Sequence, residues 1–258
     1  MAEDTGAIPC LDLGNARLKG ARVGLQVLPL PGQGIGPGTF SLAPDLREAL
    51  AGADLILLVS TNPARLPEVR RALETVVPRV LLAGEDFPLS LPTRYREPDR
   101  CGADRLVAAL AAQELGRGKV VVVDAGTAIT VDGVNGEGTF LGGQILPGLG
   151  LSLEALARHT ALPSVSLAEL QDPVPVLGRS TVECLVAGAR HGLLAGLTAT
   201  VALVAGEVGP GAPLLVTGAD GPLLAALWGT APPPQVGEVR LAPHLVVQGL
   251  ARAFQLWG

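Results

Sequence analysis

Cysteine, lysine and long apolar runs are scarce in this chain, and each scarcity removes a class of protein. Its three cysteines, Cys10, Cys101 and Cys184, are scattered over 258 residues without a C-x-x-C pair. Neither a disulfide framework nor a zinc site is expected from such spacing. The three histidines, His159, His191 and His244, also lack metal-ligand spacing and read as structural or surface residues. Lys19 and Lys119 are the only lysines, against seventeen arginines, and no basic run occurs. A net charge of −5 and an isoelectric point near 5.2 argue against nucleic acid or an anionic membrane as partner, and for a small molecule. No apolar stretch reaches transmembrane length without a charge, glycine or proline, and Met1-Ala-Glu-Asp-Thr5 lacks the basic start of a signal peptide. The expected location is the cytoplasm.

What the chain has is apolar content: 48% of its residues are hydrophobic, enough to bury the core of one large or two smaller domains. Two are expected, residues 1–116 and 117–258. The first opens with a hairpin, Ile8 to Leu13 and Leu18 to Leu30, and a Gly/Pro-rich loop from Pro31 to Gly38. Next come a buried strand Asp54 to Ser60, an amphipathic helix Pro63 to Val76 opened by proline, and a strand Arg79 to Ala83. Phe87 to Cys101, rich in proline and charge and holding the only tyrosine, Tyr95, reads as a substrate-facing loop. Then follow a helix Ala103 to Leu115, a strand Lys119 to Asp124 and a hairpin across Val134 to Gly138. A glycine-proline turn opens a helix near Leu151, and a long helix Ser180 to Val204 carries Gly188, Gly192 and Gly196 on related faces that permit close packing. The chain closes with a strand Leu214 to Thr217, a turn Gly218 to Gly221, a helix Pro222 to Leu227, a proline-rich link and a helix His244 to Gln255. Such alternation predicts an α/β fold of mixed sheets flanked by helices.

One short phrase occurs twice, as Asp12-Leu-Gly14-Asn15-Ala16 and as Asp124-Ala-Gly126-Thr127-Ala128. Each copy follows an apolar run and precedes an alternating segment, so each reads as strand, tight turn, strand, with a carboxylate at the turn. A single Asp-x-Gly turn is common and carries little weight. Two in equivalent contexts point to one nucleotide handled by two related half-domains. The glycines admit backbone N–H groups close to phosphate oxygens, Asn15 and Thr127 donate from their side chains, and the aspartates hold a cation that offsets phosphate charge. That combination is phosphoryl-transfer chemistry. By itself Asp104, in Gly102-Ala103-Asp104-Arg105, is an ordinary acid at a helix start, and Ser180-Thr181 an ordinary helix cap.

Taken together, these elements resemble those of the type III pantothenate kinases, with the Bvg accessory factor branch as near relative. The resemblance runs through Asp12-x-Gly14-Asn15-x-x-x-Lys19, then Tyr95-x-x-Pro98-x-x-x-Gly102-Ala-Asp104-Arg105, then Asp124-x-Gly126-Thr127-Ala128-x-Thr130-x-Asp132. It continues in order through Gly142-Gly143-x-Ile145-x-Pro147-Gly148, Gly178-x-x-Thr181 and Thr217-Gly218. It implies two ribonuclease-H-like domains of the acetate and sugar kinase, heat-shock chaperone and actin superfamily. It also implies ATP-dependent phosphorylation of pantothenate to 4′-phosphopantothenate, the first step of coenzyme A synthesis, with magnesium, a potassium or ammonium ion, and a homodimer.

Residue by residue, the resemblance places ATP phosphates on Asp12, Gly14, Asn15, Lys19, Gly126 and Thr127. Asp124 is implied as the monovalent-cation ligand, with Asp12 and Asp124 near the magnesium. Tyr95, Gly102, Ala103, Asp104, Arg105 and Thr181 are implied as pantothenate-binding, and Asp104 as the catalytic proton acceptor. Arg105 has two readings, a partner of the pantothenate carboxylate or of phosphate charge. One position departs from the family: the first turn usually continues Asn-Thr, and here the threonine is Ala16. A hydroxyl donor to phosphate is thereby missing, worth about 0.5 to 1.5 kcal/mol. Two other functions are weighed, a non-catalytic nucleotide-binding accessory protein and a kinase of another alcohol. The three aspartates speak against the first, and Tyr95, Arg105 and Thr181 together against the second.

Overall fold

The computed structural model describes residues 7–170 and 173–258. Met1 to Thr5, read above for the absence of a signal-peptide start, lie outside the described residues. The chain divides into two units, the first comprising the described residues up to Arg117 with Gly138–Phe140 and His244–Gly258, the second Gly118–Glu137 with Leu141–Pro243. A boundary at 116/117 leaves two returns out of account: the hairpin tip at 138–140 and the terminal helix both pack with the first unit.

In the first unit β1 (Ile8–Leu13), β2 (Arg17–Val23), β3 (Val27–Pro29), β4 (Gln33–Gly34), β5 (Ile56–Ser60) and β6 (Val80–Leu82) form one sheet. Its order is β3-β2-β1-β5-β6, with β4 paired to β2. β1 and β2 are antiparallel, and Asp12 lies opposite Lys19; β1 and β5 are parallel. The apolar runs of β1 and β5 are covered: Leu11, Leu13, Ile56 and Leu58 sit with Leu46 and Leu50 of α1 (Pro44–Leu50) and Val69 and Leu73 of α2 (Leu66–Glu74) in one core. α2 starts three residues after Pro63, because Asn62 turns the chain first, its carbonyl accepting from both Arg65 and Leu66 N–H. α3 (Ala103–Gly116) packs against the last helix, α8 (Leu245–Trp257), so closely that a Cβ on Gly249 would stand 1.7 Å from the Val107 carbonyl oxygen. Phe87, Phe254 and Trp257 stack around the end of α8, with centroids 5.6 to 6.0 Å apart.

The second unit repeats this plan. β7 (Val120–Ala125), β8 (Ala128–Val134), β9 (Phe140–Pro147), β10 (Ala212–Thr217) and β11 (Val236–Leu241) order as β9-β8-β7-β10-β11. β7 and β8 are antiparallel and β10 runs parallel to β7, as β5 does to β1. The expected hairpin across Val134 to Gly138 is the β8–β9 connection. β11 falls where a proline-rich link was expected; its mostly exposed residues give an edge strand little apolar signal. α4 (Leu149–His159) and α7 (Gly221–Thr230) flank the sheet sequence.

The long helix is three pieces: α5 (Thr181–Ala187), a π-helical segment Gly188–Leu193, and α6 (Leu194–Val208). Its glycines do not mediate close packing, contrary to the sequence expectation. A Cβ on Gly188, Gly192 or Gly196 would meet nothing within 4 Å. Thr181–Val208 is long and apolar enough to cross a membrane by length and composition, though Glu183, Arg190 and Glu207 lie within it.

Candidate active site

Two turns organise the chemistry, one in each unit. In the first, β1 delivers Asp12 at 5% exposure, and the antiparallel register sets Lys19 directly across from it. The Lys19 ammonium and the Asp12 carboxylate are 3.2 Å apart. Because the lysine side chain is 44% exposed, this pair adds little stability, at most about 1 kcal/mol. Its consequence is positional: one charge of each sign is held at the foot of the turn.

The turn closes by a hydrogen bond from Gly14 N–H to the Arg17 carbonyl (3.0 Å), leaving Asn15 and Ala16 exposed at its tip. It is braced from two sides. Asn62, 7% exposed at the end of β5, donates its side-chain amide to the Gly14 carbonyl (3.3 Å), and Ile35 N–H donates to the Ala16 carbonyl (2.8 Å). The Gly/Pro loop that supplies Ile35 is strapped by Arg65, which donates to the carbonyls of Gly36 (2.8 Å) and Gly38 (2.7 Å) and pairs with Glu68. Neither Asn62 nor Arg65 drew notice in the sequence; an Asn-Pro turn following a strand was the available signal.

In the first unit the residues that the resemblance implies for pantothenate lie on a loop and a helix start. Gly102 is the N-cap of α3, and Asp104 sits in its first turn, where the macrodipole favours a carboxylate. Asp104 Oδ1 accepts the Arg105 N–H at 2.8 Å, and a Cβ on Gly102 would stand 2.6 Å from that oxygen. Glycine at 102 therefore makes room for the carboxylate. Arg105 is 6% exposed, with its guanidinium carbon 5.7 Å from the Tyr95 ring centroid and 5.6 Å from that of Phe140. Tyr95 and Arg105 are thus brought together. Phe140 joins them without any sequence signal.

In the second unit Asp124 ends β7, half-buried, and Thr127 is exposed at the turn tip. Gly126 N–H donates to the Ala128 carbonyl (3.0 Å). Two glycines are pressed onto this turn. A Cβ on Gly218, whose φ is +90°, would stand 2.5 Å from Asp124 Oδ1, and one on Gly148 would stand 2.2 Å from the Gly126 carbonyl oxygen. The Gly148 N–H donates to the Thr127 carbonyl (2.9 Å) and the Asp220 N–H to the Ala125 carbonyl (2.9 Å). Burial raises the Asp220 carboxyl above its ordinary value. Gly143 permits the approach of buried Asp132, whose Oδ1 would be 2.2 Å from an added Cβ. Thr181 is carried by a different element, the first residue of α5. Ser180 is the cap there, its hydroxyl accepting the Glu183 N–H (3.2 Å).

In the second unit the Asp124 carboxylate, in a cradle that glycine at 218 leaves open, is a hard oxygen donor of the kind that suits an alkali or alkaline-earth cation. Among the described residues no three His, Cys, Asp or Glu side chains group as a metal cage. Cys10, Cys101 and Cys184 form no disulfide, and burial pushes the Cys10 thiol up. A cavity of about 720 Å³ in the second unit, lined by Arg190, His191, Leu203 and Trp228 among others, holds none of the residues that the resemblance implies for ATP or pantothenate.

Comparison with known proteins follows this geometry. A family model described as type III pantothenate kinase matches residues 10–202. A type III pantothenate kinase of Parafrankia sp. is 34% identical over 202 residues, 78% of this chain and 76% of its own. One from Nitratidesulfovibrio vulgaris is 41% identical over 202 residues, 73% of this chain and 75% of its own. Further relatives of the same description are matched over 59% to 80% of their length. Among solved structures, a conserved Campylobacter jejuni protein described as a Baf family transcriptional activator superposes with a TM-score of 0.59 at 18% identity, covering 96% of this chain and 98% of that one. At that identity the likeness speaks for the fold alone. The ADPNP-bound activator of 2-hydroxyisocaproyl-CoA dehydratase from Clostridium difficile superposes with a TM-score of 0.55 at 12% identity, covering 97% of this chain and 96% of that one, and likewise speaks for the α/β fold alone.

Proposed function

We infer function from one premise: the chain belongs to the type III pantothenate kinase family. It is an ATP-dependent kinase that phosphorylates pantothenate to 4′-phosphopantothenate, opening coenzyme A synthesis. The observation that carries this is the family match over residues 10–202, which takes in both Asp-x-Gly turns, the Tyr95 loop, Asp104 and Thr181. The accessory-protein reading is not favoured, since the relatives matched by sequence are named as kinases.

The finer assignments are ours. In the first unit Gly14, Asn15 and Lys19 bind ATP phosphate, with Asp12 holding Lys19 in place. In the second, Gly126 and Thr127 do the same. Magnesium, which Asp12 and Asp124 would hold, supplies neutralisation of phosphate charge when bound, and Asp124 is the ligand for potassium or ammonium. Tyr95, Gly102, Ala103, Arg105 and Thr181 bind pantothenate. The transfer needs positioning and charge offset more than covalent help. The primary hydroxyl oxygen of pantothenate bonds the γ-phosphorus as the bond to the β–γ bridging oxygen breaks, ADP departs, and the hydroxyl proton passes to Asp104. Support for Asp104 lies in its place: one oxygen is anchored by the Arg105 N–H, which orients the carboxylate before any substrate arrives.

A homodimer and a cytoplasmic location complete the reading. The dimer is supported by the exposed apolar side of α6, where Leu203 is 67% exposed beside the 720 Å³ cavity. The deciding experiment is ADP formation from ATP and magnesium with and without pantothenate, in potassium and in choline at equal ionic strength. Turnover that requires pantothenate and falls strongly in choline is expected. Pantothenate-independent ADP formation overturns the substrate, and equal rates in the two salts overturn the cation.

A further inference from the structure

We propose that Phe140 is a positioning residue for the acceptor-binding loop, fixing Tyr95 and Arg105 together; this rests on the pantothenate reading above. Phe140 begins β9, yet with Gly138 and Thr139 it packs in the first unit rather than with the rest of its strand. Gly138, at φ +78°, makes that excursion possible, since a Cβ there would run into the Gln113 side chain of α3. Phe140 is wholly buried and grips the loop by its backbone on both sides. Its N–H donates to the Pro92 carbonyl (2.8 Å) and its carbonyl accepts the Arg94 N–H (2.9 Å), a bridge centred on Thr93. The Tyr95 N–H then donates to the Thr93 hydroxyl (2.9 Å), so the bridge extends to the residue of interest.

The ring does the remainder. Its centroid is 6.3 Å from that of Tyr95 and 5.6 Å from the Arg105 guanidinium carbon. The two rings stand side by side against the guanidinium, 5.7 and 5.6 Å from its carbon and 6.3 Å from each other, and limit how it can turn without competing for its N–H groups. Phenylalanine suits this better than a polar residue would, because it adds no group needing a partner. One side chain therefore sets the orientation of the cation and of the tyrosine at once. A purely space-filling phenylalanine would affect stability alone.

The test is steady-state kinetics of Phe140→Leu, Phe140→Met and Phe140→Tyr beside wild type, with melting temperatures. Methionine fills the space without a ring, so it reports on ring loss even where the leucine variant folds poorly. Both ringless variants are expected to raise KM for pantothenate by about fivefold to thirtyfold, the scale of a desolvated cation–π contact, with KM for ATP within twofold. Phe140→Tyr, which keeps the ring, is expected to recover the pantothenate KM. Unchanged pantothenate KM in a folded ringless variant, or parallel rises for both substrates, overturns the positioning role. Absence of pantothenate turnover in wild type instead overturns the functional reading, and the proposal with it.

Discussion

Ala16 stands where the resemblance implies a threonine, and the structure shows how its backbone is held. The side chain is exposed at the tip of the first Asp-x-Gly turn, and the backbone is held by the Ile35 N–H on its carbonyl. The brace is main-chain only, so it does not depend on the residue type. Ala16→Thr is therefore expected to fold normally and to lower KM for ATP, by at most about tenfold for one regained hydrogen bond, with pantothenate KM unchanged. A stable variant with an equal or higher ATP KM would mean that no phosphate contact was missing. At this scale much was legible, because Asp12, Gly14, Asp124 and Gly126 are a repeated phrase that survives reading without a structure. Asn62 and Phe140 were not legible. Each acts on a residue about fifty positions away, Gly14 and Tyr95 respectively, and such pairings leave no local pattern.

Among the elements, glycines separate what packing demands from what it tolerates. Gly249 sits where α8 crosses α3, and Gly249→Ala would force the helices apart, since its Cβ would stand 1.7 Å from the Val107 carbonyl oxygen. A loss of about 1 to 3 kcal/mol or more is expected, the cost of overpacking a tight contact. Gly196→Ala adds a Cβ into open space on α6 and is expected to stabilise by up to about 1 kcal/mol through helix propensity. Melting curves of the two variants check both signs; similar destabilisation by each would show that the glycines of α6 are packed after all. The sequence showed the four-residue spacing of Gly188, Gly192 and Gly196 but not which way it faced, because the π-helical segment between α5 and α6 shifts the phase of everything after it. Strand β11 was missed for the converse reason: an exposed edge strand has no alternation to read. β9 covers residues read as part of a glycine-proline turn, and α1 had no counterpart in the sequence reading, whereas β1, β5, β7 and β10 were legible because they are nearly continuous apolar runs.

For the molecule as a whole, the two sheets repeat one topology, β3-β2-β1-β5-β6 and β9-β8-β7-β10-β11, with an Asp-x-Gly turn after the same strand of each. The duplicated phrase in the sequence is thus the visible trace of a duplicated fold. The return of α8 to the first unit had no such trace, because its burial depends on where α3 lies. The proposed homodimer is tested at the exposed apolar side of α6. Leu203→Glu is expected to shift the protein from dimer to monomer in sedimentation without lowering its melting temperature, because that side chain is 67% exposed in the single chain. A wild-type protein that sediments as a monomer at all concentrations would remove the dimer from the account. The central claim is the reaction, and the most direct measurement is ³¹P NMR of ATP, magnesium, potassium and pantothenate with wild-type protein and with Asp104→Asn. The account predicts ADP and 4′-phosphopantothenate appearing one for one with wild type, and a rate about 10² to 10⁴-fold lower with the variant at nearly unchanged ATP affinity. No phosphopantothenate from wild-type protein, or full activity in Asp104→Asn, would contradict it.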